Sequence, residues 1–200
     1  MKRPVAVIIA LAAIAIGVYF VFFKKEKKEE GPKDQPLAIG ENTGIFNQSY
    51  DKLLASYFQL KDALVASDTT KANTAASEIL VAADSLKTDE IKGDSASVDV
   101  LKATAKDFAG TISGSAKGLL GEKTIDAKRK EFEMITEAMW SLTRTVKYAG
   151  QKVYYQYCPM AFNNKGAYWM SSTREIKNPY FGDQMLECGS LEDSLDYSKK

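Results

Sequence analysis

The chain has 200 residues and a net charge of +1, with 45% apolar and 26% charged residues, the balance of one modest globular domain plus an appendage and not of a nucleic-acid binder. Histidine is absent, which removes the commonest general base and the commonest metal ligand together. Chemistry falls to carboxylates, Lys, Tyr, hydroxyls or the two cysteines, and their motifs assemble no nucleophile–base pair, so no enzyme is expected.

Met1-Lys2-Arg3 precedes an uncharged run from Pro4 to Phe23, which Lys24-Lys25-Glu26-Lys27-Lys28 stops abruptly. Twenty apolar residues rising about 1.5 Å each match a hydrocarbon core of about 30 Å. Residues 1–23 are therefore expected to form a signal anchor, a transmembrane helix; a cleaved signal that leaves a soluble protein is the alternative. Ala13-Ile14-Ala15 resembles a cleavage site but lies inside the apolar run. By the positive-inside rule Lys24, Lys25, Lys27 and Lys28 outnumber Lys2 and Arg3, which points the rest of the chain into the cytoplasm. Residues 24–43, with Gly31-Pro32-Lys33-Asp34-Gln35-Pro36, read as a charged flexible linker.

Helical periodicity then dominates. Tyr50, Leu53, Leu54, Tyr57, Phe58, Leu60 and Leu64 form one apolar face, ended by the capping residues Ser67-Asp68-Thr69-Thr70. Ala72, Ala75, Ala76, Ile79, Leu80, Ala83 and Leu86 form a narrow second face, and Thr88 to Ser95 reads as a loop. A third stretch, Val98 to Leu120, carries Gly110, Gly114 and Gly118 and predicts a kinked or broken helix end, because each glycine weakens a helix by about 1 kcal/mol relative to Ala; tight helix packing is the alternative. In the fourth, Phe132, Ile135, Met139, Leu142 and Val146 make a seven-residue seam, with Thr124 or Asp126 as cap and Gly150 as stop. Met134 and Met139 read as core filling. The expected fold class is all-α: an antiparallel four-helix bundle over residues 44–150, preceded by the transmembrane helix.

Beyond Gly150 the pattern changes. Val153 to Tyr157 predicts a short strand, and Asn163-Asn164-Lys165-Gly166, Asn178-Pro179 and Gly182-Asp183 predict turns. Residues 151–198 are expected to be a compact, loop-rich segment packed on the bundle. They hold Cys158, Met160, Met170, Met185 and Cys188, while no Cys or Met lies between Lys2 and Glu133. An extended chain turns Cys158 and Met160 to one side, and a helical turn puts Met185 and Cys188 on one face. Two thiolates and two thioethers, Met170 being a possible fifth sulfur, suit a soft ion, copper(I) above all. A Cys158–Cys188 disulfide explains the same residues equally well, and a free buried thiol pair is a third reading.

Tyr155-Gln156-Tyr157-Cys158-Pro159-Met160-Ala161-Phe162, then Lys165-Gly166-Ala167-Tyr168-Trp169, then Ile176 through Asn178-Pro179-Tyr180-Phe181-Gly182 to Met185-Leu186-Glu187-Cys188-Gly189 resemble the DUF3347 family. Tyr57 to Asp68 resembles its opening helix and break. Members stand alone or are appended to periplasmic adaptors of CusB-like heavy-metal efflux pumps. The resemblance covers about residues 45–195 and is carried mainly by the C-terminal motif. It implies an extracytoplasmic domain linked to heavy metals, which overrides the charge count and places the domain on the periplasmic side of a bacterial inner membrane. The function it implies is copper(I) or other soft-metal binding in resistance or efflux, with the membrane and efflux-pump components as partners; a disulfide-stabilised interaction module is the alternative. A more distant likeness is to the heavy-metal-binding domains of copper ATPases and adaptors, where Cys-Pro-Met-His stands in place of Cys158-Pro159-Met160-Ala161. The missing imidazole bears on a His-assisted site and not on a sulfur-only one.

Overall fold

The structure is a computed structural model that describes residues 42–93 and 96–198. Four long helices come first: α1 (Gly44–Val65), α2 (Thr69–Asp84), α3 (Val98–Gly121) and α4 (Ile125–Val146). Three strands follow: β1 (Val153–Cys158), β2 (Ala167–Ser171) and β3 (Ser190–Leu195). Side-chain oxygens start three of the helices: Thr43 accepts from the Phe46 amide at 3.1 Å, Asp68 from Lys71 at 2.9 Å and Thr124 from Ala127 at 3.2 Å. Each satisfies an amide that the helix itself leaves unpaired.

The apolar faces meet in one core. Tyr50, Leu53, Leu54, Tyr57, Leu60 and Leu64 of α1 and the whole α4 seam (Phe132, Ile135, Met139, Leu142, Val146) are fully buried. Small residues on α2 (Ala72, Ala75, Ala76) and α3 (Ala105, Ala109, Ala116) are buried with them, and they let neighbouring helices approach closely. Tyr50 bonds Thr143, and Tyr57 bonds Thr136 at 2.7 Å. Each step of seven along α1 thus meets a step of seven back along α4, so the two helices run antiparallel. The rings of Tyr57 and Phe132 stack at 5.2 Å.

The strands make a three-stranded antiparallel sheet in the order β2-β1-β3. This corrects the expected all-α class: the C-terminal segment is a sheet lobe, and only its first strand shows in the sequence. Strand β3, Ser-Leu-Glu-Asp-Ser-Leu, has two apolar residues and is held by backbone pairing to β1 across an irregularity at Tyr155/Gln156. The sheet packs on the bundle through Trp140 of α4, which stacks on Tyr155 at 4.0 Å and 4°. From there the stack continues to Tyr168 at 4.7 Å.

Other expectations also change. Helix α3 runs unbroken through Gly110, Gly114 and Gly118. At Gly118 an added Cβ would come within 2.9 Å of the movable carboxylate end of Glu131 on α4. Helix α4 ends at Lys147 in the left-handed conformation (φ 43°), before Gly150. Met139 is buried, but Met134 is 48% exposed and fills no core. No helix among the described residues is long and apolar enough to cross a membrane, and the transmembrane helix expected over residues 1–23 lies outside the described residues.

One hydroxyl ties the bundle to the sheet. The Met170 amide, on the outer side of edge strand β2, donates to the Tyr57 oxygen at 3.0 Å. Tyr57 and Thr136 share a second hydrogen bond, hydroxyl to hydroxyl. Burial raises the phenol well above its ordinary pKa, so it stays neutral and able to donate. Tyr57→Phe strands a buried amide, and we expect it to lower stability by about 1–3 kcal/mol. Urea denaturation checks this; an unchanged midpoint would show that the tie is dispensable.

Candidate functional site

Strand β1 brings Cys158 to the end of the sheet, where it pairs with Ala167 of β2. Side chains at paired positions share a face, so Gln156, Cys158, Ala167, Trp169 and Ser171 point one way, and Tyr155, Tyr157, Tyr168 and Met170 point the other, toward the bundle. The segment 172–189 lies over the first face. Gln156 donates to the Thr173 and Glu175 carbonyls, each at 3.1 Å.

That segment is organised by Asn178, which is fully buried. Its side-chain oxygen accepts from the Tyr180 amide at 2.8 Å, and its side-chain nitrogen donates to the Cys188 carbonyl at 2.8 Å. Its backbone amide reaches Leu186 at 2.8 Å. Arg129 of α4 clamps the same segment to the bundle. Its Nε donates to the Pro179 carbonyl at 2.8 Å, and its guanidinium reaches Ser67 at 3.1 Å and Asp126 at 3.0 Å. Gly182 (φ +56°) lies where any side chain would strike the Val65 carbonyl, at 2.6 Å. Together these fix where Cys188 stands.

The result is a thiol pair. The Cys158 and Cys188 sulfurs are 3.4 Å apart, both unbonded, with Cys158 buried and Cys188 partly exposed. Hydrogen bonding to Cys158, then burial and the nearness of Cys158's own charge, raise the Cys188 thiol above its ordinary pKa.

The two thioethers lie on a different hollow. Met160 and Met185 are 44% and 36% exposed, and both line one concavity of about 450 Å³, with Arg129, Phe162, Tyr180 and Phe181 among its other walls. Neither cysteine lines it. Met160 is not in extended chain with Cys158, as the sequence suggests; it turns into a helical conformation (φ −89°, ψ −11°) beyond the strand. Met185 and Cys188 do share a turn, closed by a bond from the Cys188 amide to the Met185 carbonyl at 3.1 Å. Met170 is fully buried on the opposite sheet face and is not brought to the thiols.

Phe162, Asn163 and Asn164 are all left-handed (φ 50°, 59° and 64°) and swing the chain from Met160 back toward β2. Asparagine tolerates this region; a phenylalanine there costs about 1–2 kcal/mol. Gly166 follows at φ +81°, with the Tyr157 ring where its side chain would be. The turn residues mark this reversal in the sequence, but the buried roles of Arg129 and Asn178 carry no sequence signal beyond a charge and an Asn-Pro turn.

The separation of the thiols sets what they can share. With metal–thiolate bonds of about 2.3 Å, sulfurs 3.4 Å apart subtend an angle of about 95° at one ion. A linear two-coordinate ion would need them about 4.6 Å apart. The observed spacing would give a bent and not a linear arrangement at a shared ion. Among the described residues no group of three or more His, Cys, Asp or Glu side chains is placed to hold an ion.

Fold and site together define an α+β domain, a four-helix bundle carrying a small sheet with a thiol pair at its end. The chain belongs to the DUF3347 family, whose family model, described as a protein of unknown function, matches residues 53–150. The matched span is the bundle and stops short of both cysteines. No curated protein and no solved structure matches the chain.

Because only the thiolate is readily alkylated, the raised Cys188 thiol makes a directional prediction. In the reduced protein its alkylation rate is expected to keep climbing beyond about pH 8.5, where an ordinary cysteine begins to level off. Mass mapping of iodoacetamide-treated protein across pH checks this, and an ordinary profile at Cys188 would contradict the pairing.

Proposed function

We propose that this domain is a soft-metal binding module, with copper(I) as its ion, facing the periplasm and serving heavy-metal resistance or efflux. It is a binder and not a catalyst. The observation that carries the reading is the Cys158–Cys188 contact at 3.4 Å, a spacing suited to two thiolates sharing one bent ion. Met160 and Met185, each a few residues from a cysteine, supply the thioethers such an ion prefers over hard oxygen donors. Their exposure is itself an argument, since solvent-facing methionines in a shared hollow do nothing for the core. Thiolates are charged and thioethers neutral, so the cysteines carry most of the affinity. Both must lose a proton to bind, so affinity falls as pH drops.

The same contact favours a second reading, a Cys158–Cys188 disulfide in a protein-interaction module. Closing to a bond of about 2.05 Å from 3.4 Å requires a small shift of the partly exposed Cys188. Such a bond would staple segment 172–189 to β1.

Competition against a copper(I) chelator, on fully reduced full-length chain in detergent, tests the metal reading. Cys158→Ser and Cys188→Ser are expected to weaken binding far more than Met160→Leu or Met185→Leu. A double cysteine variant that binds as tightly as the wild type would move the site elsewhere. Intact mass with and without reductant tests the second reading: if the isolated protein lacks the two thiol hydrogens and the reduced wild type binds no copper(I), the disulfide is the function of the pair.

A further inference from the structure

We propose that Cys188 and Cys158 form a thiol–disulfide exchange couple, in which Cys188 takes up a low-molecular-weight disulfide and Cys158 resolves it. Closing the pair withdraws both thiolates, so exchange also releases a bound ion. The order of the sulfurs stands on the thiol pair alone, and the release rests on the metal reading above.

The two cysteines are unequal. Cys158 is the last residue of β1, the central strand of the sheet, and it is fully buried. Cys188 lies outside every helix and strand and is partly exposed. A disulfide arriving from solution reacts with the sulfur it can reach, which is Cys188. Cys158 is shielded from that reagent, yet its sulfur is 3.4 Å from the Cys188 sulfur. A reactant held in contact makes the second step intramolecular, so Cys158 outruns any competing thiol from solution.

The fold builds this contact from both sides. The Cys188 amide donates to the Met185 carbonyl at 3.1 Å, and its carbonyl accepts from the Asn178 side chain at 2.8 Å. Gly189 follows at φ +152°, where an added Cβ would meet the Tyr157 carbonyl at 2.8 Å. Tyr157 directly precedes Cys158. The bare backbone at Gly189 therefore lets the chain after Cys188 lie against the chain before Cys158. Bond formation closes the sulfurs from 3.4 Å to about 2.05 Å. Cys188, held in a turn and not in a strand, is the one placed to move.

The chemistry balances in two exchanges. The Cys188 sulfur attacks one sulfur of the small disulfide and breaks its S–S bond. One small thiol leaves with the Cys188 proton, and Cys188 carries a mixed disulfide. The Cys158 sulfur then attacks the Cys188 sulfur and expels the second small thiol, which takes the Cys158 proton. The small disulfide has gained two electrons and two protons, and the cysteine pair has lost them. An external thiol reopens the bond through the same Cys188 adduct. The raised Cys188 thiol slows the first attack without transferring it to Cys158, which burial shields.

The test uses full-length chain in detergent, reduced, freed of reductant and treated with oxidised glutathione, then quenched with acid and mapped by mass. Wild type is expected to end as the Cys158–Cys188 disulfide with no lasting adduct. Cys158→Ser is expected to keep a stable glutathione adduct on Cys188, and Cys188→Ser to gain none on Cys158 over the same time. Equal labelling of the two variants overturns the order. A lasting Cys188 adduct in the wild type overturns Cys158 as the resolving sulfur. Should Cys158→Ser fail to fold, rapid quenching of the wild type decides: a transient adduct on Cys188 upholds the order, and one on Cys158 overturns it. Equilibrium dialysis with silver(I) tests the release, and binding by the reduced chain is expected to be lost on oxidation. Silver(I) held equally by both forms overturns the release. A reduced chain that binds no silver(I) overturns the metal reading and the release with it, while the adducts alone judge the exchange order.

Discussion

A single phenol oxygen inside the helical core governs how the rest of this molecule is arranged. Tyr57 must lie in the α1–α4 seam to bury its ring on Phe132, and its hydroxyl must then be satisfied away from water. Thr136 meets half of that demand and the amide of edge strand β2 meets the other half. An edge strand normally presents its open amides to solvent or to another chain. Here a helix covers one of them, so the sheet grows outward from the bundle only through β1 and β3. The end of β1, where Cys158 sits, is placed at a fixed distance from the bundle by that choice.

The other side of the site is placed by polar groups. Arg129 and Asn178 work as brackets: the first joins α1, α4 and the Pro179 carbonyl, and the second gathers Tyr180, Leu186 and Cys188. A buried guanidinium is costly unless its donors are met, and Arg129 meets its own largely with backbone carbonyls and a hydroxyl. Segment 172–189 and β1 are thus both tied to α4, the first through Arg129 and the second through the Trp140–Tyr155 stack.

Much of the bundle was legible because its signal is local. Tyr50 and Tyr57 are seven apart, as are Phe132 and Met139, and burial of one face follows from that spacing. The glycines of α3 do not break the helix: an added Cβ would meet nothing at Gly110 and Gly114 and only the end of the Glu131 side chain at Gly118, so they bring only a local cost, which the helix as a whole outweighs. Strand β3 was illegible for another reason. Glu192 and Asp193 carry no apolar alternation, and backbone bonding to β1 alone makes them a strand. For the site, pairing of the cysteines follows from composition and chemistry. That Met170 turns away follows from strand parity, which needs β2 to be known first. The clamp at Arg129 is read from sequence as a solvated charge on a helix.

The left-handed turn after Cys-Pro-Met has a consequence for the motif as a unit. Three successive residues in that conformation are unfavourable in a free chain, and Gly166 after them lies where a side chain would strike the Tyr157 ring. A peptide holding residues 151–171 alone lacks both the Tyr57 hydroxyl on β2 and the bracket at Asn178, so nothing opposes its relaxation to ordinary backbone. The spelling of the motif is consequently not portable: grafted into a loop of another scaffold it would carry the sulfurs without their geometry. In this chain the helices are the conformational reference against which a short, strained segment keeps its shape.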